Sequence, residues 1–211
     1  MRERPILFAG DMVREILAGG KTQTRRVVMP QPDFAAQPRW TFGPGHSGEG
    51  WYCSETEYPD EGSVYYECPY GIPGDRLWVR ETWATHNILD GKPPREASED
   101  APVWYKAGGQ VKNSRPYIRT TRGSWRPSIH MPRWMSRITL EVTSVHVERI
   151  RDIGREPADA LAEGIQLRGD STAAPFNAVS DFAALWDRIN ERRGFGWKVN
   201  PWVWVVKFRR C

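Results

Sequence analysis

The chain has 211 residues, a mass of 24.3 kDa, a hydrophobic fraction of 39% and a net charge of +4, with an isoelectric point near 9.1. That length suits one domain with sizeable insertions. No apolar run approaches a bilayer span or the core of a signal peptide, so a soluble, cytoplasmic protein without membrane association is expected. Three cysteines, Cys53, Cys68 and Cys211, cannot all pair and lack disulfide spacing, so reduced thiols are expected, and the basic balance favours anionic partners.

Pro5 to Phe8 is a short apolar segment that predicts a strand. DMVREILAG follows as an amphipathic helix, with Asp11 as its N-cap, Met12, Ile16 and Leu17 as an apolar stripe, and Gly19 and Gly20 as its stop. The next stretch, GGKTQTRR at residues 19–26, concentrates an amine, hydroxyls and guanidiniums, and Thr22 to Met29 turns extended. In a regular strand Lys21 and Thr24 point to opposite faces, so they meet only if Lys21 belongs to the turn or a bulge intervenes. A neutral Lys21 amine beside the Thr24 hydroxyl would be a general base for a nucleophile. Partial burial, together with the charges of Arg25 and Arg26, would lower its pKa to permit that role. The same residues also read as a solvated basic turn.

Residues 30–75 are rich in proline, glycine and aromatics without long periodicity, an insertion braced by a hairpin of Trp51 to Ser54 with Val64 to Glu67. His46, Cys53 and Cys68 lie within it, match no common zinc spacing and have no evident fourth ligand, so neither a metal nor another cofactor is expected. GDRLWVRETWA at residues 74–84 alternates, with Leu77, Val79 and Glu81 opposite Trp78, Arg80 and Thr82, and predicts a strand. Arg80 and Glu81 either face a site or form structural ion pairs. A polar loop at 86–101 leads into a hairpin turning at Gly108 and Gly109. From Arg115 to Arg137, arginines interleave with aromatics. Arg122, Arg126 and Arg133, with Trp125, His130 and Trp134, suit a single-stranded nucleic acid, or else a solvated loop whose tryptophans pack on the core.

Ser136 to Ile150 predicts a long strand whose parity changes near Ser144, a bulge of the kind that helps to close a barrel. EPADALAEGI predicts a short helix with Pro157 in its first turn and Gly164 as its C-terminal cap. Glu163 sits at the helix end, where the dipole disfavours a carboxylate. A second helix, Asn177 to Asn190, presents Phe182, Leu185, Trp186 and Ile189 on one face, and PWVWVVKF closes the chain as a strand. Of eleven tryptophans, Trp202 and Trp204 in that strand read as core, and those in basic loops as candidates for base contact.

The G-x-K-x-x-T-x-R pattern of Gly19, Lys21, Thr24 and Arg26 resembles the motif of the ASCH-domain family. So do the GDRLWVRE strand, the strand-then-helix run ending in AEGI, and the terminal WVWVVKF. The longer form resembles ASCH proteins common in phage and prophage genomes. The resemblance spans most of the chain and implies an α+β fold: a PUA-like, mostly antiparallel β-barrel with a few flanking helices. It would form a single domain over 1–211, with insertions at about 30–75 and 86–130. It implies an amidohydrolase for N4-acetylcytidine or related N4-acylated cytosine nucleosides. Thr24 would attack the amide, Lys21 would take its proton, and Glu163 would position the substrate or pass a proton to the leaving exocyclic amine. Other members are RNA-binding modules or nucleases. In such a role Arg25, Arg26, Arg80, Glu81 and the arginine-tryptophan loop would contact a nucleoside or single-stranded RNA, and His130 would serve a ribonuclease as acid or base. No obligate protein partner is expected.

Overall fold

The computed structural model describes residues 1–33, 38–45, 48–55, 62–109, 112–113, 121–155, 157–166 and 174–211. Its first half runs β1 (Glu3–Leu7), α1 (Gly10–Ala18), β2 (Gln23–Val27), β3 (Arg39–Gly45), β4 (Gly48–Ser54), β5 (Val64–Tyr66) and β6 (Arg76–Arg80). Then come β7 (Trp83–Ala84), β8 (Trp104–Tyr105), β9 (Thr139–Arg149), α2 (Pro157–Ala162), α3 (Ala174–Asn190) and β10 (Trp202–Arg210). The fold is α+β. One sheet has the order β1-β6-β9-β10-β2, antiparallel except for the β1–β6 pair; β3-β4-β5 form a second sheet and β7-β8 a third.

Alternation along β10 explains the layering. Trp202, Trp204, Val206 and Phe208 join Ile6, Leu77, Leu140 and, from α1, Val13 and Ile16 in the main core. Val203 and Val205 point the other way, into a second core with Ile150, Ile153 and, from α3, Phe182 and Trp186. This explains why PWVWVVKF is apolar without interruption: the strand is covered on both sides. The expected hairpin is present, with Trp51 opposite Tyr66 and Cys53 opposite Val64. It packs into the main core, where the Trp51 ring lies edge-on 5.0 Å from Trp204. β3 flanks the hairpin on its other side; Gly43, Pro44 and Gly45 interrupt the alternation that would have announced it.

The bulge in β9 is also present. Lys207 pairs with Ser144 and Phe208 with Val142, leaving Thr143 as the extra residue. No closed barrel is found among the described strands, because β1 and β2 stand at opposite edges of the sheet. A side chain links those edges: Arg26 Nη2 donates to Leu7 O at 2.7 Å.

The start of α1 differs from the expectation. Ala9 is the N-cap and no side chain caps the helix, while Asp11 lies inside the first turn and pairs with Arg14. Gly19 ends the helix at φ 82°, a left-handed conformation that glycine adopts without steric cost. The predicted strand at 74–84 divides into β6 and β7. The latter leaves to pair with β8, over a third core of Trp83, Val103, Tyr105, Met131 and Met135. Across the glycine turn, the pairing among the described residues is a bridge between Val103 and Lys112.

Glu81 lies just after β6 and is 1% exposed; Arg137 meets it through Nε at 2.8 Å and Nη2 at 2.9 Å. Burial raises the pKa of its carboxyl group. Of the two alternatives open for Glu81, the structural ion pair is the one formed. Among the described residues no helix is long and apolar enough to cross a membrane. Glu81→Ala, which leaves the Arg137 guanidinium unpaired, is expected to cost about 3 kcal/mol or more. Arg133→Ala breaks an exposed pair with Glu3 and is expected to cost under about 1 kcal/mol. Urea unfolding of both variants measures the contrast, and equal losses would contradict it.

Candidate functional site

After Gly19 the backbone N–H groups of Gly20 and Lys21 both donate to Glu15 O, at 2.9 and 3.1 Å, so Lys21 still belongs to the turn. Lys21 forms a bridge with Glu163, and Thr22 N donates to Ala162 O at 2.9 Å before β2 begins. Gly164 makes this approach possible: at φ +85°, a Cβ there would stand 3.1 Å from Glu15 Cβ and 3.2 Å from Lys21 Cβ.

The bridge brings five charged side chains together. Lys21 Nζ donates to Glu163 O at 2.7 Å and to Glu163 Oε2 at 2.9 Å, with the two side chains 1% and 4% exposed. Arg25 donates to three carboxylates: through Nε to Glu148 at 2.8 Å, through Nη1 to Glu163 at 3.1 Å, and through Nη2 to Asp159 at 3.0 Å. Glu163 stands just beyond the C-terminus of α2, where the helix dipole works against it, and these two cations offset that cost. Burial lowers the Lys21 pKa, the neighbouring Arg26 and Arg25 charges add to this, and Glu163 opposes it without reversing the direction. For Arg25 burial works the other way from its partners, and Glu163, Glu148 and Asp159 hold its pKa above the ordinary value. Burial pushes the Glu148 carboxyl up, but the hydrogen bond with His146 and the charge and hydrogen bond of Arg25 hold it below its ordinary value.

Cross-strand partners share a face, so Thr24 and Arg26 lie with Val206 and Trp204 on the main-core side, and Arg25 lies with Val205 on the α3 side. Because β2 is an edge strand, residues from both faces line one cavity of about 140 Å³. Thr24, Arg25, Arg26, Glu163, Asn190 and Arg193 stand in its polar wall, and Phe182 and Trp186 among its apolar lining. The face of α3 expected to be core therefore also walls this cavity. Thr24 is 4% exposed, and among the described residues its hydroxyl makes no hydrogen bond and none joins it to Lys21. Lys21 sits behind Glu163 instead.

The other expected contact residues lie outside this cavity. Arg80 stacks on Trp78 at 4.6 Å and donates to Ile129 O at 3.2 Å. Arg126 stacks on Trp83 at 5.3 Å and donates to Leu89 O and Lys92 O, so it fastens the preceding loop. Arg133 pairs with Glu3, and Trp134 packs against the third core. Arg122 and Trp125 stack on each other at 4.1 Å on the surface, and His130 is exposed. Arg115, Tyr117 and Arg119 lie outside the described residues, as does His46. Among the described residues no cluster suits a metal ion. Cys53 and Cys68 are buried, which pushes their thiols up to about 11 and about 12.

Sequence reasoning missed Glu148 and Asp159. Each follows its local pattern, as an alternating position of a strand and a first-turn acid of a helix, and neither spacing relates it to Arg25. The chain finds no match among protein-family models, curated proteins or solved structures.

Because the pKa of Lys21 is lowered in the fold, the unfolded chain binds a proton that the folded chain has released between that lowered value and the ordinary lysine value of 10.5. Below this window the buried charge costs stability, and the cost is relieved as pH rises through it. The expected contribution is a gain of up to about 1.4 kcal/mol per pH unit. Urea unfolding of the wild type and Lys21→Met from about pH 8 to about pH 10 measures it as a difference. An identical pH dependence in both proteins would contradict the lowered value.

Proposed function

We propose that the chain is an ASCH-type amidohydrolase that deacylates N4-acetylcytidine or a related N4-acylated cytosine. On this reading the five-stranded sheet is the ASCH framework, open between β1 and β2. One observation carries the proposal: the Thr24 hydroxyl, without a hydrogen bond among the described residues, shares a cavity with Glu163, which is hydrogen-bonded to a buried lysine of lowered pKa. Lys21 Nζ donates to Glu163 O and Oε2, at 2.7 and 2.9 Å, and so holds the carboxylate that faces the cavity.

Thr24 Oγ1 adds to the amide carbonyl and its proton passes to the Lys21–Glu163 pair, of which Glu163 faces the cavity. Collapse breaks the C–N bond, and the pair returns the proton to the exocyclic amine of cytosine. Water then hydrolyses the Thr24 ester and releases the carboxylic acid. Arg25 positions Glu163, since its Nε, Nη1 and Nη2 are each engaged by a carboxylate.

A non-catalytic RNA or modified-base reader is the second reading, supported by the exposed Arg122–Trp125 stack. Purified protein incubated with N4-acetylcytidine, free and within a short RNA, is expected to release cytidine on mass-spectrometric analysis. Thr24→Ala and Lys21→Met are each expected to lower turnover by about 100-fold or more. Full turnover in Thr24→Ala would remove the nucleophile; intact RNA bound without turnover, and released by Arg122→Ala, would favour the reader.

A further inference from the structure

The charges around the Thr24 cavity do not balance locally. Lys21 and Arg25 are met by Glu148, Asp159 and Glu163. Two further guanidiniums line the cavity, those of Arg26 and Arg193, and among the described residues neither has a carboxylate partner. Both are held in place. Arg26 lies 5.3 Å over the Phe8 ring and 5.9 Å over Tyr70, with Nη2 on Leu7 O and a buried Nε–H that has no acceptor. Arg193 Nη1 donates to Asn190 Oδ1 at 3.1 Å, and its guanidinium lies 5.9 Å from the Phe195 ring. A guanidinium carries five N–H donors, so each retains several for a ligand.

On the other side of Glu163 the balance reverses. A groove of about 780 Å³ between α1 and α3 is lined by Asp11, Glu15, Asp181 and Glu163 against Arg14 and Arg188. An anion is therefore favoured on the β2 side alone. The C-terminal pole of α3 also borders that side and works against an anion, so the subsite depends on both arginines.

We infer that Arg26 and Arg193 form an anion subsite that takes the 5′-phosphate of a cytosine mononucleotide, with Phe182 and Trp186 beside the pyrimidine and the N4 substituent directed to Thr24. The inference rests on the deacylation reading for its orientation, and it makes the substrate an N4-acylated nucleotide. A cavity of about 140 Å³ is on the scale of one nucleotide unit rather than of a strand.

Isothermal titration with cytidine, cytidine 5′-monophosphate and an oligocytidylate lacking a terminal phosphate tests the subsite without requiring turnover. The monophosphate is expected to bind about tenfold or more tightly than cytidine. Arg193→Ala, an exposed change that leaves the fold intact, is expected to bring its affinity to that of cytidine, as is Arg26→Gln; Arg193→Lys is expected to retain part of the preference. Equal affinity for monophosphate and nucleoside would overturn the subsite, as would a preference that persists in Arg193→Ala. An oligocytidylate that binds as tightly as the monophosphate would overturn the mononucleotide assignment. A monophosphate preference without deacylation would leave the subsite standing and remove the reaction, whereas deacylation without that preference would do the reverse.

Discussion

The Arg25 guanidinium, whose side chain is fully buried, is the constraint on which the arrangement of the site depends. A charge placed there is tolerated only with partners that satisfy it, and the chain supplies three from separate places: Glu148 on β9, Asp159 on α2, and Glu163 beyond the end of α2. Those bonds fix α2 against the edge of the sheet and hold the Glu163 carboxylate between Arg25 and Lys21. The position of Glu163, unfavourable for an isolated helix, becomes the place where two cations converge. Burial that makes an ion pair expensive is also what lowers the proton affinity of Lys21.

Elsewhere the same residue types serve packing. Arg126 and Arg137 stack on Trp83 and Tyr105 at 5.3 and 4.0 Å; Arg126 donates to carbonyls of its own insertion and Arg137 to the Glu81 carboxylate. In this region the interleaving of arginine and tryptophan stabilises a small core that has few aliphatic side chains. Arg122 with Trp125 keeps the exposed form that a base-contacting surface requires.

Much of the fold was legible because it follows from local periodicity. Alternation announced β6 and β9, the apolar run PWVWVVKF announced β10, the parity change near Ser144 announced the bulge found at Thr143, and Gly19 and Gly164 marked the ends of the helical segments. Sheet order was not legible, since strand neighbours depend on contacts between residues far apart in sequence. The open edge at β2 is such a case. Of the site, Lys21, Thr24 and Glu163 were legible through the motif and the odd placement of an acid. Arg25 was legible as a charge but not as a positioning group, because its carboxylates lie more than a hundred residues away. Arg193 was illegible for the same reason, as it reaches the cavity only through the packing of α3 against β2.

The account requires Thr24 to become covalently acylated while the Lys21–Glu163 pair holds its proton. Rapid acid quenching of the protein with N4-acetylcytidine, followed by peptide mass mapping, tests this most directly. The expected result is an acetyl group on Thr24 that appears within the first turnover and is absent from Thr24→Ala. Cytidine release with no acyl group on residue 24 at any time point would contradict it.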